Sequence, residues 1–579
     1  MSTPFTPTQR FWRLLKPDRD EIRNMYVYAV FAGLVSLSLP LGIQAIINFI
    51  QGGQLNTAWV VLVAIVVAGV AIQGALQIFQ LRITEDLQQK IFTRAAFEFA
   101  YRIPRIRLEV LYKHYAPELM NRFFDIISVQ KSLSKILLDF SAAGLQTIFG
   151  LILLSFYHPF FIAFSVLMVL LIIGIFRWSG QRGLATSLKE SKYKYKVAHW
   201  LEELARTSNT FKLAGRTNLH LEKMDDQVEN YLTARENHFG ILIQQYYLMV
   251  GFKVVVALGL LALGGILVME QQMNIGQFVA AEIIILSIMS SVEKLVFSLE
   301  TIYDILTSLE KIGQVTDLEL EQDEGMDMVR ECMTCGVYVE LDNVTFGYPG
   351  QQTPTLRDLS FKALSGEKWV VTGENKSGKS TLLYILGGMY DVQHGSISYN
   401  GLSKGSLDLV SLRSIIGDSL TQEQLFEGTV LENITIGREA ATFDNVKWAI
   451  QNLGLTDFIK RLPQGYHTVL DPQGKKLPRS IVQKLLLARS IADKPKLLLL
   501  EDALEHMDEQ DRIRIVDFLT ARENEWTLVA VSSDPYFASK SDQVAIMKDG
   551  RIIQSGPFVH IQPNHLNQYA QYFAKQNQR

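Results

Sequence analysis

The sequence predicts an all-α membrane domain of six spanning helices fused to a soluble α/β domain built around a phosphate-binding loop. Three observations predict it. Six apolar stretches, all in the first half of the chain, are long enough to cross about 30 Å of hydrocarbon as helices. The gaps between them alternate between short ones without Lys or Arg and long ones rich in both. The second half carries Gly373-Glu374-Asn375-Lys376-Ser377-Gly378-Lys379-Ser380, a GxxxxGK[ST] loop set between an apolar strand and a helix-forming run.

At 579 residues the chain is too long for one ordinary domain. Residues 1–24 read as a basic N-terminal elbow with Arg10, Arg13, Lys16, Arg19 and Arg23. Residues 25–312 read as the membrane domain, with spans at Tyr26–Ile50, Trp59–Phe79, Ile136–Phe156, Phe160–Phe176, Tyr247–Met269 and Ile275–Leu299. The short gaps are Gln51–Ala58, Tyr157–Pro159 and Glu270–Asn274. The first long gap holds Arg82, Lys90, Arg94, Arg102, Arg105, Arg107 and Lys113, and the second is equally basic from Arg177 to Arg235. The positive-inside rule therefore places both termini and both long gaps in the cytoplasm. Within those gaps apolar residues recur at helical spacing with few Gly or Pro, Pro104 excepted, which predicts helices continuing below the membrane. The first apolar run is too long for a cleavable signal peptide and lacks a small-residue cleavage site.

Charged residues fall inside the last two spans. At 1.5 Å per residue Lys253 lies roughly 24 Å below the outer end of its helix, and Glu293 roughly 27 Å below that of the next. The two are expected to pair near the inner face, where Lys294 also sits. Glu282 lies about 10 Å down, too far in height to share Lys253. A carboxylate within a membrane helix is a functional candidate. Glu282, with Lys253 and Glu293, is accordingly a candidate for the substrate path; the plain alternative is a protonated or water-exposed Glu in a broad cavity.

Residues 313–336 read as a linker containing both cysteines, Cys332 and Cys335. A single C-x-x-C cannot complete a four-ligand zinc site. A redox pair, or a site shared across a dimer axis, stands against two reduced cytoplasmic thiols. Residues 337–558 read as the soluble domain and 559–579 as a tail. The apolar strand Lys368–Thr372 runs into the loop and Ser380–Leu386 leaves it as a helix. In that setting backbone N–H groups of Gly373–Thr381 wrap phosphates, Lys379 reaches the β- and γ-phosphates, and the Ser380 hydroxyl ligates Mg²⁺. A formal net charge of −3 offers no electrostatic footprint for nucleic acid.

Further stretches carry a family resemblance. They are Val344–Pro349 (VTFGYP), His394–Ile397 with Asn400-Gly401, Leu425–Ile434 (LFEGTVLENI) and Lys548–Gly556 (KDGRIIQSG); in the first half they are Ala116–Phe123 and Leu201–Arg216. With the phosphate loop, they resemble the ATP-binding cassette (ABC) exporter half-transporters over essentially the whole chain. Gly264–Ile312 is most similar to the type I protein-secretion members. The resemblance implies ATP and Mg²⁺ as cofactors, with the Tyr348 ring stacked on adenine. It implies a second half-transporter as partner, in a homodimer or heterodimer, housed in a lipid bilayer. It also implies a multi-pass protein of a bacterial inner membrane that works with a periplasmic adaptor and exports protein or peptide.

The chain departs from the family at the positions that turn ATP over. Where the family has its LSGGQ signature stand Leu477-Pro478-Arg479-Ser480-Ile481. Pro478 lacks an N–H, and Arg479 places a long side chain where backbone should approach phosphate. The Asp-Glu pair after the Leu497–Leu500 run is swapped to Glu501-Asp502. Glu501 keeps a carboxylate for the Mg²⁺ shell. Asp502, at the general-base position, is one methylene short, a withdrawal of roughly 1.5 Å against a required reach of about 2.6–3.2 Å. Ser533 replaces the switch histidine, and Thr421, with Gln422 adjacent, replaces the metal-sensing glutamine. Asp508 is kept in the following loop. Two functions fit this pattern: an exporter subunit with weak or unorthodox hydrolysis, or a catalytically silent nucleotide-binding scaffold or regulatory subunit.

Overall fold

The computed structural model describes residues 5–51, 57–321, 324–331, 336–420 and 424–561. The chain divides into two compact units: Met1–Pro104 with Tyr115–Leu318, and Arg105–His114 with Glu319–Arg579.

The first unit is all helix. Among the described residues six stretches are long and apolar enough to cross a membrane: Pro7–Gln51, Thr57–Arg105, Ala116–Ser155, Pro159–Arg206, Leu219–Met269 and Ile275–Thr316. The four unbroken helices Thr57–Arg102, Pro159–Arg206, Leu219–Gly259 and Ile275–Thr316 have 46, 48, 41 and 42 residues. At 1.5 Å per residue they run about 60–70 Å, twice the hydrocarbon thickness, so they continue well beyond it. The first span differs from the expected single helix. It is two helices, Arg19–Ser36 and Ser38–Gln51, broken at Leu37. Pro40 has no N–H to give Ser36, and its ring blocks that carbonyl.

The helix Ile275–Thr316 forms the spine of this unit. Asn274 and Gln277 cap its start reciprocally, each side-chain oxygen accepting from the other's backbone N–H at 2.8 and 2.9 Å. Its Ile284, Ile285, Ile288 and Val292 are buried among Leu151, Leu154, Phe164, Met249 and Val256. Lys253 Nζ lies 2.7 Å from Glu293 Oε2. Glu282 is half-buried, without hydrogen bond or ion pair among the described residues.

Among the described residues the second unit holds twelve strands: β1 (Val339–Phe346), β2 (Leu356–Ala363), β3 (Lys368–Gly373), β4 (His394–Tyr399), β5 (Leu402–Ser403), β6 (Ile416–Ser419), β7 (Gly428–Thr429), β8 (Val469–Leu470), β9 (Leu497–Glu501), β10 (Thr527–Val531), β11 (Gln543–Lys548) and β12 (Arg551–Gly556). The main sheet runs β12-β11-β3-β10-β9-β6, and a smaller one runs β2-β1-β4-β5. In the main sheet β6, β9, β10, β3 and β11 are parallel, and β12 closes the edge antiparallel. Parallel strands are buried on both faces, and the period of two sorts their side chains. Val370, Leu498, Leu500, Leu528 and Ala530 join one core cluster. Their neighbours Trp369, Val371, Leu497, Leu499 and Val529 join another.

The segment Arg105–His114 belongs to this unit by hydrogen bonding. Ile106 bridges Leu320 antiparallel, with Arg107 N donating to Glu319 O at 3.1 Å and Glu321 N to Arg105 O at 2.8 Å.

Candidate functional site

Parallel strands deliver their loops at their C-terminal ends, where α/β sheets bind ligands. β3 ends in the phosphate loop, β9 in Glu501-Asp502, and β10 leads to Ser532-Ser533. The loop is shaped by glycine. Gly373 has φ +149° and Gly378 φ +97°; a Cβ on the first would lie 2.1 Å from Met547 O, and one on the second 2.7 Å from Leu356 Cδ2. No other residue fits either position. Gly378 then starts the helix Lys379–Leu386, whose first N–H groups face the loop.

Lys379 closes the loop on itself. Its Nζ donates to the carbonyls of Gly373 at 2.9 Å and Glu374 at 2.8 Å. Burial holds this ammonium below its usual range, against the pull of the Asp502 and Glu501 carboxylates. Ser377 Oγ is buried without a hydrogen-bond partner. Ser380 is exposed beside Thr381, which is buried. An orphaned hydroxyl, a lysine held only by backbone, and free helix N–H groups are a donor set that fits a polyphosphate with its metal. Ser380 and Glu501 would hold the Mg²⁺.

Glu501 ends β9 and is buried. Asp502 stands on the rim in a left-handed conformation, φ +44°, its N–H donating to Val531 O at 3.0 Å. Partial desolvation, then the Glu505 and Glu501 carboxylates, push its carboxyl above the usual range. Ser533 is exposed. Asp508 stands exposed at the N-cap position of the helix Glu509–Thr520, its side chain making no capping hydrogen bond.

Tyr348 Oη lies 3.0 Å from Thr381 Oγ1, which anchors the ring over the phosphate-loop helix. Three aromatic rings surround it: Phe346 at 5.1 Å and Tyr390 at 5.5 Å, both edge-on, and Tyr112 stacked at 5.2 Å. Tyr112 has no local sequence signal, because its contact is made across the fold.

The signature stretch lies elsewhere. Pro478 is the N-cap of the helix Arg479–Ile491, with extended ψ of 142°, and both it and Arg479 are exposed. Leu477 and Ile481 are half-buried against the core, and Ser480 is half-buried. Leu477–Ile481 shares no hydrogen bond or ion pair with the phosphate loop among the described residues. Gln483, on the same helix, accepts from His506 N at 3.3 Å, tying it to the loop after Asp502. Thr421, Gln422, Cys332 and Cys335 lie outside the described residues.

Residues 356–505 match the ABC transporter family and residues 23–292 match the ABC transporter transmembrane region. The chain is 24% identical to mouse mitochondrial ATP-binding cassette sub-family B member 10 over 95% of its own length and 79% of that protein. It is 30% identical to the ABC-type transporter kk1G of Curvularia clavata over 39% of its own length and 17% of that protein. It spans less than half the length of several other curated relatives. A solved bacterial Atm1-family ABC exporter with ATP bound superposes with a TM-score of 0.80 at 18% identity, covering 96% of this chain and 98% of that one, a likeness of fold. With its transmembrane region and its nucleotide-binding domain both matched, the chain is an ABC half-transporter.

Proposed function

We propose that this chain is the ATP-binding subunit of a dimeric exporter, most simply a homodimer, in which ATP is bound tightly and hydrolysed slowly. The observation that carries the reading is the complete phosphate loop, with Lys379 poised on the Gly373 and Glu374 carbonyls, beside a rim occupied by Asp502 and Ser533. Residues 337–558 form the nucleotide-binding domain, with Gly373–Thr381 around the phosphates and Tyr348 against the base. Bound Mg²⁺ supplies charge neutralisation at the phosphates. The chain's own residues do the rest: Lys379 offsets negative charge, Ser380 and Glu501 hold the ion, and Asp502 accepts a proton from the attacking water at longer reach. Thr421 or Gln422 takes the sensing position. The signature Leu477–Ile481 faces the partner subunit's nucleotide, as its separation from the chain's own phosphate loop suggests. Arg479 replaces backbone N–H groups there with a mobile charge.

The proposal extends to location and cargo. Both termini face the cytoplasm of a bacterial inner membrane, and Glu282, unpaired in its helix, lies on the substrate path with Lys253 and Glu293. The similarity of Gly264–Ile312 to type I secretion members supports a protein or peptide cargo handed to a periplasmic adaptor.

Binding of fluorescent ATP by the full-length protein in lipid tests the nucleotide reading. Lys379→Ala is expected to weaken it at least tenfold. Equal binding by both proteins would overturn it.

A further inference from the structure

Below the membrane, where the helices Pro159–Arg206 and Ile275–Thr316 run side by side, the first unit holds an open cavity of about 680 Å³. Arg122, Lys192, Tyr195, Lys196 and Lys311 line it together with Glu118 and Glu310. Its depth follows from the helices. Tyr195 and Lys311 each lie roughly 54 Å along the helix from its outer end at 1.5 Å per residue. The hydrocarbon is about 30 Å thick, so both lie about 24 Å past its inner edge. A lipid headgroup does not reach that level, and a soluble molecule does.

The walls carry more positive charge than the chain neutralises. Arg122, Lys194 and Lys311 hold their cations 5.1, 5.4 and 5.3 Å from the centre of the Tyr195 ring. The buried Asp125 carboxylate sits among them, accepting a hydrogen bond from the Tyr195 hydroxyl. Arg122 donates to Glu118 at 3.1 Å and to Gln314, yet its Nε is buried without an acceptor. The remaining wall carboxylate, Glu310, faces Arg10 at 3.6 Å. Lys311 is only 7% exposed and has neither hydrogen bond nor ion pair among the described residues. Lys192 and Lys196 are exposed and without a carboxylate partner among the described residues.

A buried ammonium is expensive unless something pairs with it. Here the largely buried Lys311 and the unsatisfied Nε of Arg122 border one roomy cavity, and two exposed lysines flank it. We propose that this cavity is a binding site for a soluble small anion carrying at least two carboxylate or phosphate groups. Lys311 takes one group at depth, and Lys192 and Lys196 take another at the mouth. The volume matches that of ordinary ligand pockets, about 300–1,000 Å³. Because Arg122, Tyr195 and Lys311 come from three separate helical stretches, the bound anion clamps them together.

The test uses full-length protein in lipid nanodiscs carrying Lys379→Ala, so that the phosphate loop does not take up the probe. Citrate and inorganic pyrophosphate are titrated by calorimetry, and Tm is followed alongside. The expected result is saturable binding of at least one probe at one site per chain, with a rise in Tm. Adding Lys311→Met should weaken that binding at least tenfold and cancel the rise, while the anion-free Tm stays equal or increases, since the methionine keeps the stem without the buried charge. Lys131→Met, on the exposed surface, should change nothing. Binding of citrate alone assigns a carboxylate ligand, and of pyrophosphate alone a phosphate ligand. Absence of saturable binding by either probe overturns the proposal, as does binding that survives Lys311→Met.

Discussion

Tyr112 lies flat against Tyr348, ring centroids 5.2 Å apart and planes inclined by 20°. One ring comes from the Arg105–His114 segment, the other from the stretch just after β1, and both belong to the same compact unit. An adenine stacking on Tyr348 meets Tyr112 on that face. Stacked aromatic pairs contribute about 0.5–1.5 kcal/mol beyond buried area. Tyr112→Ala should therefore tighten ATP binding by about two- to tenfold, while Tyr348→Ala weakens it. Titration with a fluorescent ATP analogue reads both. Weaker binding by Tyr112→Ala would show instead that the two rings hold the base together.

Pro478 and Arg479 stand exposed at the head of a helix that is buried from Lys484 to Ile491, and neither side chain has a hydrogen bond or ion pair among the described residues. Serine is a better N-cap than proline, by about 1 kcal/mol. Replacing Pro478 by Ser, and Arg479 and Ser480 by Gly, should leave Tm nearly unchanged and restore backbone donors for the partner's nucleotide. One donor to a developing anion is worth about 10²–10³ in rate. The repaired chain should hydrolyse ATP at least tenfold faster at saturating nucleotide. An unchanged rate would place the bottleneck at Asp502.

Part of this was legible in the sequence, and the physics says which part. The spans follow from the length of apolar runs and the Lys/Arg asymmetry, both local quantities. The Lys253–Glu293 contact follows from helix rise, which fixes the heights of two residues on adjacent antiparallel helices. The phosphate loop is legible because its mechanism demands a strand, two glycines and a helix in succession. Tyr112 and Lys311 were not legible. Each is an ordinary residue on an ordinary helical segment, and its environment is made by residues far away in the chain. The break at Leu37 had a signal in Pro40, hidden within an otherwise continuous apolar run.

The Lys253–Glu293 pair is about one-third exposed on each side, so water and neighbouring groups share its charge. Removing one partner strands the other in a membrane helix, which costs more than the pair contributes. Lys253→Met should lower stability by roughly 1–3 kcal/mol, and Lys253→Met with Glu293→Leu should recover most of it. Tm in detergent across the double-mutant cycle measures this. Additive losses would mean that the two side chains act independently.

Lys368 opens β3 and is buried, its Nζ donating to Asn524 O at 2.8 Å and to Trp526 O. Desolvation pushes its pKa down from 10.5 to about 8, against the pull of Asp542. Between those values the unfolded chain holds a proton that the folded chain lacks, so this group adds stability as pH rises from about 8 towards 10.5. Below about pH 8 both states are charged and the group's contribution is constant. The Tm of the wild type should gain on that of Lys368→Met across this interval. Parallel pH profiles would contradict the shift.

If the phosphate loop is intact and Asp502 reaches short, steady-state ATP hydrolysis by the full-length protein in lipid will report both. Wild type, Lys379→Ala and Asp502→Glu are compared at saturating ATP. The account predicts slow hydrolysis that vanishes in Lys379→Ala and rises at least tenfold in Asp502→Glu, where the carboxylate regains its reach. Fast wild-type hydrolysis, or a rate unaffected by Lys379→Ala, would contradict it. ATP binding without measurable turnover, unchanged by Asp502→Glu, would instead mark a nucleotide-gated scaffold.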